Sequence, residues 1–233
     1  MSTDDALRVS IEDGVAVLHL DDGRANAISH EVLEAMHAGL DQALTDAQSV
    51  LIQGRPGRFS AGFDLSVMQA GDKPLQDLVL AGAELFLRLY GHPQPVVAAC
   101  TGHALAGGAL LLLSADTRVG HAGDFKIGLN EVGIGLALPS FAVELARDRL
   151  SSAHLTAATA QACIYAPDGA VDAGFLDRLV EPDELIAAAT AEARRLGEMR
   201  RGAVAETKKR LRDSTLRRVR STLEDDIAQL TLG

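Results

Sequence analysis

The sequence predicts an α/β fold with a helical C-terminal part, on three observations. Short apolar runs alternate with helix-spaced segments up to Pro139. Gly- and Pro-bearing turns separate them. Beyond Ser140 helical spacing takes over. The 233 residues are 47% hydrophobic and 23% charged, which suits one large domain with a sizeable core.

The elements follow in order. Val9 and Ile11 alternate with polar residues, Asp13-Gly14 supplies a turn, and Val15, Val17, Leu18 and Leu20 continue a second strand, so Val9 to Asp21 reads as a hairpin. Asp22 to Ala27 is a loop. Ser29 is placed to N-cap a helix on which Val32, Leu33, Met36, Leu40 and Leu44 recur at helical spacing. Ser49 to Gln53 is a short buried strand, and Gly54 to Gly62 reads as a loop. A helix covers Leu75 to Tyr90 and is broken by His92-Pro93-Gln94-Pro95, with Val96 to Cys100 as the next strand. Gly102 to Gly108 is a second Gly/Ala turn that opens an apolar helix running to Ala115, and Thr117 begins another strand. Phe125 to Pro139 is apolar, punctuated by glycine, and carries one acid, Glu131. Helices are predicted at Phe141–Arg149, Ser151–Ala162, Ala170–Gly174 and Asp183–Met199, with two basic helices after them. No internal repeat of 20–50 residues is visible.

Composition and charge exclude several classes. The net charge of −10 and the 3% aromatic content without tryptophan argue against nucleic-acid binding. The longest apolar run, Ala104 to Leu113, is far shorter than the roughly 20 residues that span a bilayer. The start is polar and acidic, unlike a secretory signal, and Cys100 and Cys163 form no CxxC motif, so a cytoplasmic protein is expected. Arg194 to Arg220 holds eleven basic residues against three acids, a net +8. Such a segment is a solvated helical face or a local site for a phosphate-rich ligand. No P-loop, GxGxxG, GxSxG or HExxH pattern is present, and the seven histidines show no paired metal spacing, so no metal site is expected.

Two glycine-rich turns and one isolated acid remain. The first turn is Phe59-Ser60-Ala61-Gly62-Phe63-Asp64-Leu65 and the second is Gly102-His103-Ala104-Leu105-Ala106-Gly107-Gly108. Small residues allow close backbone approach, and an N–H at a helix start attracts negative charge. One N–H from each turn, converging on one oxygen, makes an oxyanion hole.

This pair of turns, about 40 residues apart, resembles the crotonase (enoyl-CoA hydratase/isomerase) superfamily. Arg24-Ala25-Asn26-Ala27-Ile28 is similar to that family's CoA-binding loop, with Ala25 where proline is usual, and Asp116 fits the run after the second turn. The likeness covers roughly Val9 to Met199. It implies a crotonase-like spiral of ββα units over residues 1–181, holding CoA and the active site, with a helical oligomerisation region at 182–233. The expected assembly is a homotrimer or a dimer of trimers. The thioester carbonyl is expected between the N–H groups of Phe63 and Gly107, with Ala25, Ala27, Ala61, Asp64, Leu65 and Leu110 bordering the substrate and its CoA moiety. Coenzyme A is then part of the substrate, and no separate cofactor is implied. Lys208 or Lys209 is a candidate for the CoA phosphates, and a plain surface role is the alternative.

Hydratases of this family place one glutamate in the helix after the second turn and another in the later glycine-rich segment. Here the first position is Leu110 and the second is Glu131, in Lys126-Ile127-Gly128-Leu129-Asn130-Glu131-Val132-Gly133. That stretch is similar to the mitochondrial-type Δ3,Δ2-enoyl-CoA isomerases. The resemblance therefore implies a 1,3-proton shift by Glu131 alone, in fatty acyl-CoA metabolism, behind an apolar wall of Leu110, Leu136 and Leu138. Burial there is expected to raise the Glu131 pKa. The alternatives are a hydratase or other crotonase-family enzyme, and a non-catalytic acyl-CoA-binding or RNA-associated member.

Overall fold

The computed structural model describes residues 6–231. The hairpin forms as β1 (Leu7–Glu12) and β2 (Val15–Leu20), with Asp13 and Gly14 at φ of +49° and +77°. Both turn residues sit in the left-handed region, as a tight hairpin between right-twisted strands demands. After β3 (Ala27–Ile28), Ser29 caps α1 (His30–Asp46) by accepting the Val32 N–H. Then come β4 (Ser49–Gln53), β5 (Gly57–Ser60), β6 (Gly62–Phe63), α2 (Leu65–Met68) and α3 (Asp72–Tyr90). The middle of the chain forms β7 (Val96–Cys100), β8 (Gly102–Leu105), α4 (Gly107–Ser114), β9 (Thr117–His121) and β10 (Ile127–Gly128). The rest is α5 (Ser140–Arg149), α6 (Leu155–Ala158), α7 (Pro167–Ala173), β11 (Arg178–Val180), α8 (Leu185–Gly197), α9 (Arg201–Arg220) and α10 (Leu223–Ile227).

The strands build a six-stranded sheet in the order β1-β2-β4-β7-β9-β11, a three-stranded sheet β10-β8-β5 and a two-stranded pair β3-β6. Among the strand ladders of the described residues, β1–β2 is antiparallel and the others are parallel. Each turn of the chain lays one strand in the large sheet and one in the small sheet before a helix returns it: β4-β5-α3, β7-β8-α4, β9-β10-α5. This is the expected spiral of ββα units. Its returning helices run 19, 8 and 10 residues, so the repeat has no fixed period in sequence.

The central strands of the large sheet, β4 and β7, are buried on both faces. Val15, Leu51, Val97 and Val119 meet Leu185, Ala189 and Ala193 of α8, while Ala16, Leu18, Val50, Ile52, Val96 and Ala98 face the main core under α1, α3 and α4. Parallel strands covered twice read as continuous apolar runs, which is why β4 and β7 were legible without alternation.

Five expectations need correction. Gly54 to Gly62 is not all loop, and Gly102 to Gly108 is not all turn: β5 and β8 pair in parallel there. Each is only four residues long and opens on glycine, which gives a turn signal and too short a run for a period-2 pattern. The helix expected over Ser151–Ala162 is confined to Leu155–Ala158, because Thr159 leaves helical geometry and Ala162 turns to φ +48°. Of the two terminal helices only α9 is basic; α10 reads Leu-Glu-Asp-Asp-Ile. Finally, Lys208 does not face solvent. Its Nζ lies 2.6 Å from Asp116 and donates to the Gln94 carbonyl at 3.0 Å, and Arg212 sits 2.7 Å from the same carboxylate. Part of the basic segment is therefore an internal clamp that fastens α9 to the start of β9, and Lys208 is spent there.

Candidate active site

The two glycine-rich turns meet at one point. Ser60, wholly buried, donates from Oγ to the Asn26 carbonyl at 2.7 Å and accepts the Gly62 N–H at 3.2 Å. Asn26, at φ +53°, donates from its side chain to the carbonyls of Leu20, Arg58 and Phe59. The 24–27 loop is thus fastened to β5, and the Ala61 N–H donates to Ala25 O at 3.0 Å. The Asp64 N–H then donates to Ile28 O at 3.1 Å. Successive N–H groups of a strand alternate in direction, so the Phe63 N–H points away from β3.

On the other side Ala106, at φ +49° and ψ −122°, turns the chain from β8 into α4. Gly107 is the first residue of that helix, so its N–H has no intrahelical acceptor and lies at the positive end of the dipole. A Cβ on Gly62 would lie 3.0 Å from the Gly107 nitrogen and 2.9 Å from the Leu105 carbonyl oxygen. The backbone of β6 and the start of α4 are therefore in contact, a closeness only glycine permits. Two free N–H groups on adjoining segments are suited to hold one anionic oxygen.

Beside them opens a cavity of about 470 Å³. Ala61, Phe63, Leu65, Leu110 and Glu131 line it, together with Asn130, Leu136 and Phe141 among others. Glu131 comes from the segment after β10, where its carbonyl accepts the N–H groups of Ile134 and Leu136, both at 3.0 Å. Its side chain is only 6% exposed, and Oε2 has no hydrogen-bond partner. Burial in apolar surroundings without a cation pushes its pKa up to about 7. Such a carboxyl group exchanges a proton readily near neutrality. Among the described residues that line the cavity, it is the only one with an ionisable side chain.

The other expected residues fall outside the wall. Ala25 and Ala27 border Ala61 and Gly62 through backbone pairing. Asp64 caps α2, accepting from the Ser66 N–H at 2.8 Å and the Ser66 hydroxyl at 2.6 Å. Leu138, expected in the apolar wall, is half-buried against the main core and does not line the cavity. His103, in the second turn, accepts the Lys126 N–H at 3.0 Å. Sequence reasoning missed Asn130, whose Oδ1 is buried and unpartnered beside Glu131. Its one signal was a polar residue next to the lone acid of an apolar segment. It also missed Met68, Val79, Phe141 and Leu230, which reach the cavity from distant elements and carry no local mark.

A family model described as enoyl-CoA hydratase/isomerase matches residues 10–231. A solved structure of an enoyl-CoA hydratase/isomerase family protein from Pseudomonas syringae is similar at a TM-score of 0.95 and 42% identity, covering 98% of this chain and 99% of that one. The probable enoyl-CoA hydratase of Bacillus subtilis is 36% identical over 141 residues, 59% of this chain and 54% of that protein. The mitochondrial enoyl-CoA delta isomerase 1 of Homo sapiens is 31% identical over 179 residues, 74% of this chain and 59% of that protein. The matched part thus spans less than two thirds of either curated relative.

Proposed function

The chain belongs to the enoyl-CoA hydratase/isomerase family, and from that premise we propose that it is a Δ3,Δ2-enoyl-CoA isomerase acting on fatty acyl-CoA. The observation that carries this reading is the single carboxyl group of the cavity, Glu131, with Leu110 at the position where a hydratase of the family has its other acid. Hydration requires water activation at C3 and proton delivery at C2, work suited to two positioned groups. A 1,3-proton shift requires one.

The thioester oxygen of a 3-enoyl-CoA accepts the Phe63 and Gly107 N–H groups. The Glu131 carboxylate removes a proton from C2; the C–H electrons form C1=C2 as the carbonyl π electrons move onto oxygen, giving a dienolate whose C1=C2 electrons become C2=C3 when C3=C4 takes up the returning proton at C4. The charge gathers on the oxygen held by the two amides. The protonated Glu131 returns the proton to C4, leaving 2-enoyl-CoA and the original carboxylate. Leu110, Leu136 and Phe141 keep water from the intermediate. The homologous human isomerase supports this assignment, and the assembly that goes with it is a homotrimer or a pair of trimers built through the C-terminal helices.

The test is one pair of assays on the purified chain. Incubation with 3-enoyl-CoA is expected to yield 2-enoyl-CoA, and incubation with 2-enoyl-CoA to yield little 3-hydroxyacyl-CoA. The reverse ranking of the two rates would make the chain a hydratase.

A further inference from the structure

The cavity has an open side and a closed side. Leu65 and Ile134 are 59% and 50% exposed, whereas Phe141, Val79 and Leu230 are at most 6% exposed. Val79 belongs to α3 and Phe141 to α5, both within the main core. Leu230 comes from the segment after α10 and lines the same cavity. Gln76, from α3, donates through Nε2 to the carbonyls of Ala228 and Leu230, both at 3.1 Å. The Ser140 N–H at the start of α5 donates to the Asp226 carboxylate at 2.6 Å, and Leu223 and Ile227 are buried beside it. The segment is therefore seated on α3 and α5 by polar anchors on both sides, and Leu230 is the only one of its described side chains that reaches the cavity.

We propose that Leu230, held in place by Gln76, is the end wall against which an acyl chain stops, and so sets the chain-length limit of the substrate. This rests on the acyl-CoA reading above. An acyl tail anchored at the two amides and passing Glu131 has apolar surface to cover until it meets that wall. Each further buried methylene tightens binding about fourfold. Past the wall an added methylene gains nothing or forces strain in a packed core. Gln76 does not line the cavity and acts as a positioning residue through Leu230.

The test is the affinity of saturated acyl-CoAs of increasing chain length, measured by calorimetry on the full chain, which needs no turnover. The wild type is expected to gain about fourfold per methylene up to a break and then level off or weaken. In Leu230→Ala the break is expected to move two or three carbons longer, in Leu230→Phe to move shorter, and in Gln76→Ala to move longer without any change to a lining side chain. A general loss of stability would weaken all lengths alike and would not send the two Leu230 variants in opposite directions. A break that stays put in all three variants while binding persists overturns the Leu230 assignment alone. Failure of the wild type to bind any acyl-CoA overturns the acyl-CoA reading itself.

Discussion

Gly62 and Gly107 touch: a Cβ on Gly62 would stand 3.0 Å from the Gly107 nitrogen, with Gly62 at φ +92°. That contact fixes the separation of the two N–H donors to which the mechanism assigns the substrate oxygen. Gly62→Ala meets both the crowding and the left-handed strain. It is expected to cost on the order of 2 kcal/mol and to lower kcat at least tenfold. Thermal melting and isomerase assays check both.

Phe63→Ala separates amide from side chain. The ring packs against Phe86 with centroids 5.9 Å apart, so its loss is expected to lower Tm. The N–H remains, and kcat is expected to stay within about tenfold of wild type, less than the 10²–10³ lost with an oxyanion donor.

The Glu131 pKa of about 7 sets a pH profile. The base must be ionised, so kcat/KM is expected to rise through about pH 7 and then level off. The same shift acts on stability. The folded-state value lies above the ordinary 4.5, so the contribution is fully present below about pH 4.5 and lost as pH rises through about 7. The loss is about 3 kcal/mol. Glu131→Gln is therefore expected to melt higher than wild type at pH 8 and close to it at pH 4, as scanning calorimetry at the two pH values would show.

Leu110→Glu restores the acid that the family's hydratases carry. The new carboxyl group is buried and unpaired, so Tm is expected to fall. Its proximity to Glu131 is expected to shift the kinetic pKa further up. Formation of 3-hydroxyacyl-CoA from 2-enoyl-CoA is expected to become measurable by chromatography.

The Asp116 clamp is predicted to matter for folding and not for chemistry. Burial pulls Lys208 down to about 8 even with the carboxylate beside it. Asp116→Asn leaves Lys208 and Arg212 buried without a counter-charge and is expected to cost about 3–5 kcal/mol. Asp213→Asn, which breaks the exposed pair with Arg217, is expected to change stability by less than about 1 kcal/mol. Denaturant melts compare the two, and the pH profile of the surviving enzyme is expected to be unchanged.

The sequence carried most of the large sheet, for identifiable physical reasons. The Asp13-Gly14 turn, the Ser29 cap and the doubly buried runs at β4 and β7 are local signals, and the structure has all of them. Glu131 stood out because it is the only acid in an apolar segment. The strands of the small sheet were hidden, since β5 (Gly-Arg-Phe-Ser) and β8 (Gly-His-Ala-Leu) are four residues each and open on a glycine that also reads as a turn. The partnership of Asp116 with Lys208, 92 residues away, and the arrival of Leu230 beside Phe141 are tertiary facts with no local trace. Charge counting, which offered a solvated face or a phosphate site, gave no sign that Lys208 and Arg212 turn inward while Lys209, Arg210, Arg217, Arg218 and Arg220 stay exposed.

The most direct measurement of the account is the rate at which Glu131→Gln converts 3-enoyl-CoA to 2-enoyl-CoA at pH 8, compared with wild type at saturating substrate. Gln preserves the shape of the side chain and removes its ability to accept a proton. The account predicts a fall of 10²–10⁴-fold, the usual worth of a general base. A variant that keeps more than about a tenth of the wild-type rate would contradict it, because the proton would then be travelling by a route that does not pass through this carboxylate.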